Sequence, residues 1–264
     1  MTMPSLRQAS RARGDSGQRL PDVFRSFAEA GIHLRRGHVT LMAAAPGVGK
    51  SVIGLVYSLR MGVPTQYLAM DADEHTTCVR VVQHCALVDS KEAELQVLED
   101  GKLARDALDA VDWIRFDFPS SHDIEEIVHR VWAFGELYGE WPHCIVVDNL
   151  MDVAFDGDEN SGINGVMEDL AKLARDAKAA VLVLHHVTGN YEDGNETIPL
   201  SGLRNKVGKK PALVLTINNG AADEQVWVSV VKNRFGRADP AGMRMRVPLR
   251  TGYAHMQMYE WGAT

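Results

Sequence analysis

Val39-Thr40-Leu41-Met42 runs into Ala43-Ala44-Ala45-Pro46-Gly47-Val48-Gly49-Lys50-Ser51, and Val52-Ile53-Gly54-Leu55-Val56-Tyr57-Ser58-Leu59 follows. The first segment is an apolar run of strand length. The second is a tight loop of small residues, and the third has helical spacing with one glycine as its only breaker. Strand, Gly-Lys-Ser loop and helix in that order form a phosphate-binding loop, in which backbone N–H groups and the positive end of a helix face a polyphosphate. Ala45, Pro46, Gly47, Val48, Gly49, Lys50, Ser51 and Val52 are the residues expected around the phosphates. Lys50 reaches the terminal phosphates and the Ser51 hydroxyl ligates magnesium. One position departs from the full pattern: the first glycine is replaced by Ala44, the smallest residue that carries a Cβ.

Outward from this loop, apolar runs of strand length alternate with periodic helical segments. That alternation predicts βαβ units, hence an α/β fold with a mainly parallel central sheet flanked by helices. Strands are expected at 66–70, 112–116, 143–149 and 180–184, and antiparallel strands at 213–217 and 226–231, with shorter strand-like pieces in the tail. Helices are expected near 21–30, within 75–87 and 91–110, across Ile124 to Phe134, and after a polar loop at 155–165. The stretch 187–210 is too long and polar for an ordinary connection and is a candidate working loop. Residues 1–20 carry Arg7, Arg11, Arg13 and Arg19 with almost no apolar pattern, so a flexible basic arm is expected there and one domain over 21–264.

A net charge of −7 excludes a globally basic nucleic-acid binder, although cations cluster at 204–210 and 232–250. No membrane segment or signal peptide is recognisable, so a cytoplasmic protein is expected. Cys78, Cys85 and Cys144 lack metal-ligand spacing and read as reduced thiols.

Asp148 ends the buried run Ile145-Val146-Val147, where a carboxylate would share the magnesium with Ser51. Asp71 follows the second strand and is the candidate to activate an attacking water, with Asp73 and Glu74 as competitors. Asp71 could equally cap the helix that starts near His75. His185-His186 is a poor metal pair, because adjacent strand residues point to opposite faces; His186 is the better candidate to hydrogen-bond a terminal phosphate. Asp156-x-Asp158-x-Asn160 starts like a calcium loop, yet Ser161 and Met167 stand where the turn glycine and bidentate acid belong. Lys232 and Arg234, two apart on extended chain, lie on one side and are either a solvated strand end or cations reaching a neighbour's γ-phosphate.

Taken in register, Arg36-Gly37-His38-Val39-Thr40-Leu41, the Gly-Lys-Ser loop, the acid after strand two, Ile145-Val146-Val147-Asp148, Ser201-Gly202-Leu203-Arg204-Asn205 and Lys232-Asn233-Arg234-Phe235-Gly236 resemble the RecA-like P-loop ATPase domain of DnaB-type replicative helicases. The His-His-x-Thr-Gly run at 185–189 is more similar to hexameric RepA-type plasmid helicases and their phage relatives. The resemblance implies ATP and Mg2+ at Lys50, Ser51 and Asp148, with Asp71 in place of a catalytic glutamate and His186 as γ-phosphate sensor. It makes Lys232 and Arg234 the cations that a neighbour supplies in a homo-oligomer, a hexameric ring, with replication proteins as further partners. Loops 155–165 and 187–210 would line its channel, where Arg204, Lys206, Lys209 and Lys210 meet single-stranded DNA. It further implies a motor domain without the DnaB N-terminal helical domain. Asp71 for glutamate is the departure that bears on hydrolysis. A recombination mediator or helicase loader that does not unwind, and an ATP-gated assembly module without turnover, are the rival readings.

Overall fold

The computed structural model describes residues 6–12, 14–187 and 189–262. Its nine-stranded sheet has the order β3-β2-β4-β5-β1-β6-β7-β8-β9. The strands are β1 (Val39–Ala44), β2 (Thr65–Ala69), β3 (Ile114–Asp117), β4 (Cys144–Asp148), β5 (Ala180–His186), β6 (Leu213–Asn219), β7 (Gln225–Asn233), β8 (Arg246–Gly252) and β9 (Gln257–Glu260). Strands β1 to β6 are mutually parallel, and β7, β8 and β9 add antiparallel hairpin pairings. The fold is therefore the α/β, mainly parallel one expected, with its antiparallel strands toward the C-terminus. Every residue of β1, β2 and β4 is buried, and in β4 that burial on both faces is written as the unbroken apolar run Ile145-Val146-Val147.

The helices are α1 (Leu6–Ala12), α2 (Arg25–Glu29), α3 (Lys50–Met61), α4 (Glu74–Ala86), α5 (Ser90–Leu98), α6 (Lys102–Asp109), α7 (Ile124–Tyr138) and α8 (Glu159–Asp176). Helix α3 packs so closely on β5 that a Cβ at Gly54 would lie 2.8 Å from Leu184 Cδ1. The single glycine in that helix is thus a contact point, not a break. Val79 and Val82 of α4 form a small second core with Ala93, Ala104 and Ala107 of α5 and α6.

Several expectations shift. The helix anticipated across 91–110 is two helices, broken where Asp100 adopts φ 48° and Gly101 is extended at the start of α6. The polar loop at 155–165 is half helix: Asp158 accepts a hydrogen bond from Ser161 N and starts α8 at Glu159. The acid that looked like a calcium ligand is a cap. Stretch 187–210 contains short 3-10 turns at Gly189–Tyr191, Leu200–Gly202 and Arg204–Lys209. Of the segment expected as an arm, residues 6–12 are helical, while Gly17 N donates to Arg36 O and Leu20 N to Leu34 O. Residues 17–20 thus run against the core, on the near side of the boundary expected at 20. Arg13 lies outside the described residues.

A phosphate loop and its carboxylates at one sheet edge

Parallel pairing carries the ends of β1, β2, β4 and β5 to a single edge of the sheet. At that edge a cleft of about 610 Å³ is lined by Ala45, Pro46, Gly47, Gly49, Lys50, Ser51, Val52, Asp71, Arg80, His186 and Tyr253. The loop turns through Gly47 (φ 79°) and Gly49 (φ 98°), conformations that favour glycine. A Cβ on Gly47 would meet nothing within 4 Å, so this stretch of backbone faces open space. Ala44, in place of the usual glycine, is the last residue of β1 and wholly buried; its methyl belongs to the core and does not enter the loop.

Asp148 collects three donors. Lys50 Nζ lies 3.2 Å from Oδ1, Ser51 Oγ donates to the same oxygen at 3.1 Å, and the Tyr67 hydroxyl donates to Oδ2 at 3.0 Å. Lys50 and Asp148 are each only 5% exposed, so this is a buried ion pair completed by hydrogen bonds. Burial, and then the neighbouring Asp148 carboxylate, push the Tyr67 phenol well above its ordinary range, so it remains a donor. Ser51 Oγ and the Asp148 carboxylate form an all-oxygen pair at the foot of the open loop, a donor set that suits magnesium.

Asp71 is held beside this pair through its backbone: Met70 N and Asp71 N both donate to Asp148 O, at 2.7 and 3.3 Å. The cap of α4 is Asp73, which accepts from Thr76 N at 2.7 Å. The alternative capping role for Asp71 is therefore taken by Asp73, and the Asp71 side chain lines the cleft. Asp152 lies near enough to Asp71 and Asp148 to feel both; burial first, then Asp71, raises its pKa.

Register pairs Ala43 with His185 and Ala44 with His186. His185 is fully buried and His186 borders the cleft, as alternation requires. Burial, then the Lys50 charge, lowers the His186 pKa and favours the neutral imidazole. Among the described residues no group of three or more His, Cys, Asp or Glu side chains is arranged to hold a metal.

Lys232 and Arg234 sit elsewhere. Lys232 pairs with Val214, which in turn is level with Leu41, three residues before the end of β1. At a rise of about 3.3 Å per residue this is roughly 10 Å short of the phosphate edge, two strands away from β1. The two side chains meet on one carbonyl, that of Lys209, at 2.7 and 3.2 Å. Of the basic residues at 204–210, Arg204 Nη2 pairs with Glu159 at 2.5 Å and Lys210 Nζ with Glu168 at 2.5 Å. Lys206 and Lys209 are exposed and have no ion pair among the described residues. Sequence reading missed Tyr67, Arg80 and Tyr253: each is an ordinary residue of a strand, a helix or a turn until the fold brings it to the cleft.

A family described as AAA domain matches residues 30–190. The Gene 65 protein of Mycobacterium phage L5 is 37% identical over 249 residues, spanning 91% of this chain and 92% of that protein. A solved structure described as an ATPase domain superposes with a TM-score of 0.80 at 14% identity, covering 96% of this chain and 95% of that one. A DnaB-like replicative helicase, described with its interactions with primase, superposes with a TM-score of 0.79 at 14% identity over 96% of this chain and 66% of that chain. Among the described residues no helix is long and apolar enough to cross a membrane. With the phosphate loop at the sheet edge and these relatives beside it, the chain belongs to the AAA domain family and has the RecA-like fold of DnaB-type helicase ATPase domains.

Proposed function

We propose that the chain is the motor of a ring-forming, hexameric DNA helicase that hydrolyses ATP between subunits and moves along single-stranded DNA. The observation that carries this reading is the separation within one chain: a phosphate loop at one sheet edge, and a Lys-x-Arg pair set back from it two strands away. Lys232 and Arg234 are out of reach of their own cleft but suited to a neighbour's.

In this reading ATP lies along residues 45–52, and Lys50 turns from Asp148 to the terminal phosphates. Ser51 and Asp148 would hold a magnesium ion, which supplies positive charge to the β- and γ-phosphate oxygens. Asp71 accepts a proton from the water that attacks the γ-phosphorus, while the bond to the β-phosphate oxygen breaks and ADP leaves with its electrons. Neutral His186 hydrogen-bonds the γ-phosphate and passes its loss to the segment after β5. The neighbour's Lys232 and Arg234 neutralise the transferred group. Lys206 and Lys209, with Arg204 and Lys210 behind them, meet the DNA phosphates. The likeness in fold to a solved ATPase domain and to a DnaB-like replicative helicase supports this reading over a module without turnover.

DNA-stimulated ATPase, measured beside molecular mass with and without ATP and beside unwinding of a forked duplex, tests it. Arg234→Ala should retain ATP binding and lose hydrolysis by about 10³-fold or more, the usual worth of an arginine finger. Normal hydrolysis in that variant would remove the trans assignment. DNA-stimulated hydrolysis without strand separation would favour a recombination mediator or loader, and no DNA binding at low salt would leave a gated assembly module.

A further inference from the structure

Away from the cleft, the antiparallel end of the sheet presents a strip of arginines and aromatic rings. Register places Trp227 opposite Pro248, Ser229 opposite Arg246 and Gln225 opposite Arg250, and β9 continues the row with Tyr259 opposite Arg250. Residues paired across a ladder point to one face, and so do residues two apart on a strand. Arg246, Trp227, Pro248, Arg250 and Tyr259 therefore share a face. The alternate positions Val226, Val228, Val247, Leu249 and Met258 are buried on the other.

The side chains on this strip form two pairs. The Arg246 guanidinium lies 4.3 Å from the centre of the Trp227 ring, and the Arg250 guanidinium 5.0 Å from that of Tyr259. Gly252 makes room for the second pair, because a Cβ there would lie 2.9 Å from Tyr259 Cε2. Both arginines are exposed, and among the described residues neither takes part in an ion pair or donates a side-chain hydrogen bond. The nearby carboxylates lie off the strip: Glu260 is on the opposite face, where it accepts from Ser26 N at 3.1 Å, and Asp223 and Glu224 are in the turn before β7. At its other end the strip runs under turn 239–243. Ser229 Oγ donates to Gly242 O at 2.8 Å, and Pro240 O of that turn accepts from Leu200 N at 2.8 Å. The strip thus adjoins the segment proposed to meet DNA.

A guanidinium held over a ring offers its own plane to a base and its N–H groups to phosphate oxygens. A sheet face bearing two such pairs suits a row of unpaired bases, whose π faces in a duplex are already stacked on one another. We propose that this strip is a second binding surface for single-stranded DNA, holding bases by stacking and the backbone through Arg246 and Arg250. The proposal rests on the reading of the chain as a single-stranded DNA motor and adds a contact in which bases, and not phosphates alone, contribute. The strip receives the strand beyond Lys206 and Lys209.

The test compares two fluorescein-labelled strands of equal length and charge, oligo(dT) and an abasic strand, in binding titrations of the full chain at several salt concentrations. Wild type should prefer oligo(dT) by about fivefold or more, the low end of what one stacked base contributes. Trp227→Leu and Tyr259→Leu should each reduce that preference and leave the abasic strand bound as in wild type. Arg246→Gln combined with Arg250→Gln should lower the slope of log affinity against log salt by roughly 1.4, about 0.7 for each phosphate no longer neutralised. Replacing Lys206 and Lys209 with alanine should weaken both strands alike and keep the preference. A wild type without preference, or an unchanged preference in both ring variants, overturns the proposal and leaves Lys206 and Lys209 as the DNA contacts. If the ring variants do not fold, the arginine double variant decides: a smaller slope at an unchanged melting temperature supports the strip, and an unchanged slope overturns it. Irradiating wild type with a strand that carries 5-iodouracil should give adducts at Trp227 or Tyr259, and adducts confined to residues 187–210 overturn the proposal as well. Failure of wild type to bind either strand at low salt removes the DNA reading itself and the strip with it, an outcome distinct from the others.

Discussion

Lys232 donates from Nζ to the carbonyl oxygen of Gly208 at 2.7 Å, and the same ammonium reaches the carbonyl of Lys209 at 2.7 Å. The cation proposed to reach a neighbour's γ-phosphate is thereby tied to the end of the segment proposed to meet DNA. An ammonium has three donors, so two are engaged here and one remains for a phosphate. In a ring, ATP in one subunit would draw on the Lys232 of the next and loosen the carbonyls at 208 and 209. The adjacent Lys206 and Lys209 would feel that change through a few backbone bonds.

The first prediction concerns pH. Burial, and then the charge of Arg234, lower the Lys232 pKa from 10.5 to about 8. Between those values the folded chain binds fewer protons than the unfolded one, so this group makes the fold more stable as pH rises through the window, and its cost is fully present below pH 8. Its charge is half gone at about pH 8, and interface-dependent hydrolysis should decline above that value. Lys232→Arg keeps its charge and should move the alkaline limb of the ATPase profile upward by a unit or more. An unmoved limb would assign the titration to another group.

The second prediction separates the four cations at 204–210. Arg204 and Lys210 are already neutralised by Glu159 and Glu168 of α8, whereas Lys206 and Lys209 are not paired among the described residues. Replacing Lys206 and Lys209 with alanine should reduce the slope of log affinity for single-stranded DNA against log salt by roughly 1.4, about 0.7 for each phosphate that is no longer neutralised. Arg204→Ala should change the slope less, and the corresponding Glu159→Gln should increase affinity by freeing the arginine. Equal slopes for all variants would place the DNA-binding surface elsewhere.

The fold was legible wherever physics acts locally. β4 and β5 are buried on both faces, so Ile145–Val147 and Ala180–Leu184 read as continuous apolar runs; Asp148 stands at the end of the first, and Lys50 and Ser51 follow the small-residue loop that leaves β1. The start of α8 was hidden because a cap such as Asp158 is written in the same polar residues as a loop. β8 and β9 were faint for a different reason: β8 alternates buried with partly exposed positions, contains Pro248 and meets no helix-length repeat. That same C-terminal hairpin returns Tyr253 to Val48, 205 residues earlier. No periodicity records a contact of that separation, and Arg80 is equally silent until α4 is docked on the turn.

A third prediction follows from His185, which is buried at the centre of the sheet on β5. Burial lowers its pKa from 6.5 to about 4. Across that interval the unfolded chain binds the proton and the fold does not, so the contribution of this residue to stability falls as pH drops from 6.5 toward 4. His185→Gln has no such titration. The urea midpoint of wild type should therefore lose more than that of the variant between neutral pH and about pH 5. Parallel losses in the two proteins would mean that His185 is protonated in the fold as readily as in the unfolded chain.

The last prediction tests the site's foundation. Lys50 and Asp148, each 5% exposed, stabilise one another, and removing Asp148 alone strands a buried ammonium and takes the acceptor from Ser51 and Tyr67. Asp148→Ala should cost about 3–5 kcal/mol in denaturant unfolding, the range for a buried ion pair broken on one side. Lys50→Met should cost less, because Asp148 keeps the hydroxyls of Ser51 and Tyr67 as donors. If the penalty of Asp148→Ala comes from the stranded charge, the Lys50→Met, Asp148→Ala double variant will be more stable than Asp148→Ala by itself, an opposite-sign coupling that additive damage cannot produce. A double variant whose loss equals the sum of the two would mean that Lys50 reaches solvent once its partner is removed, and that the closeness of the pair serves phosphate binding and not the fold.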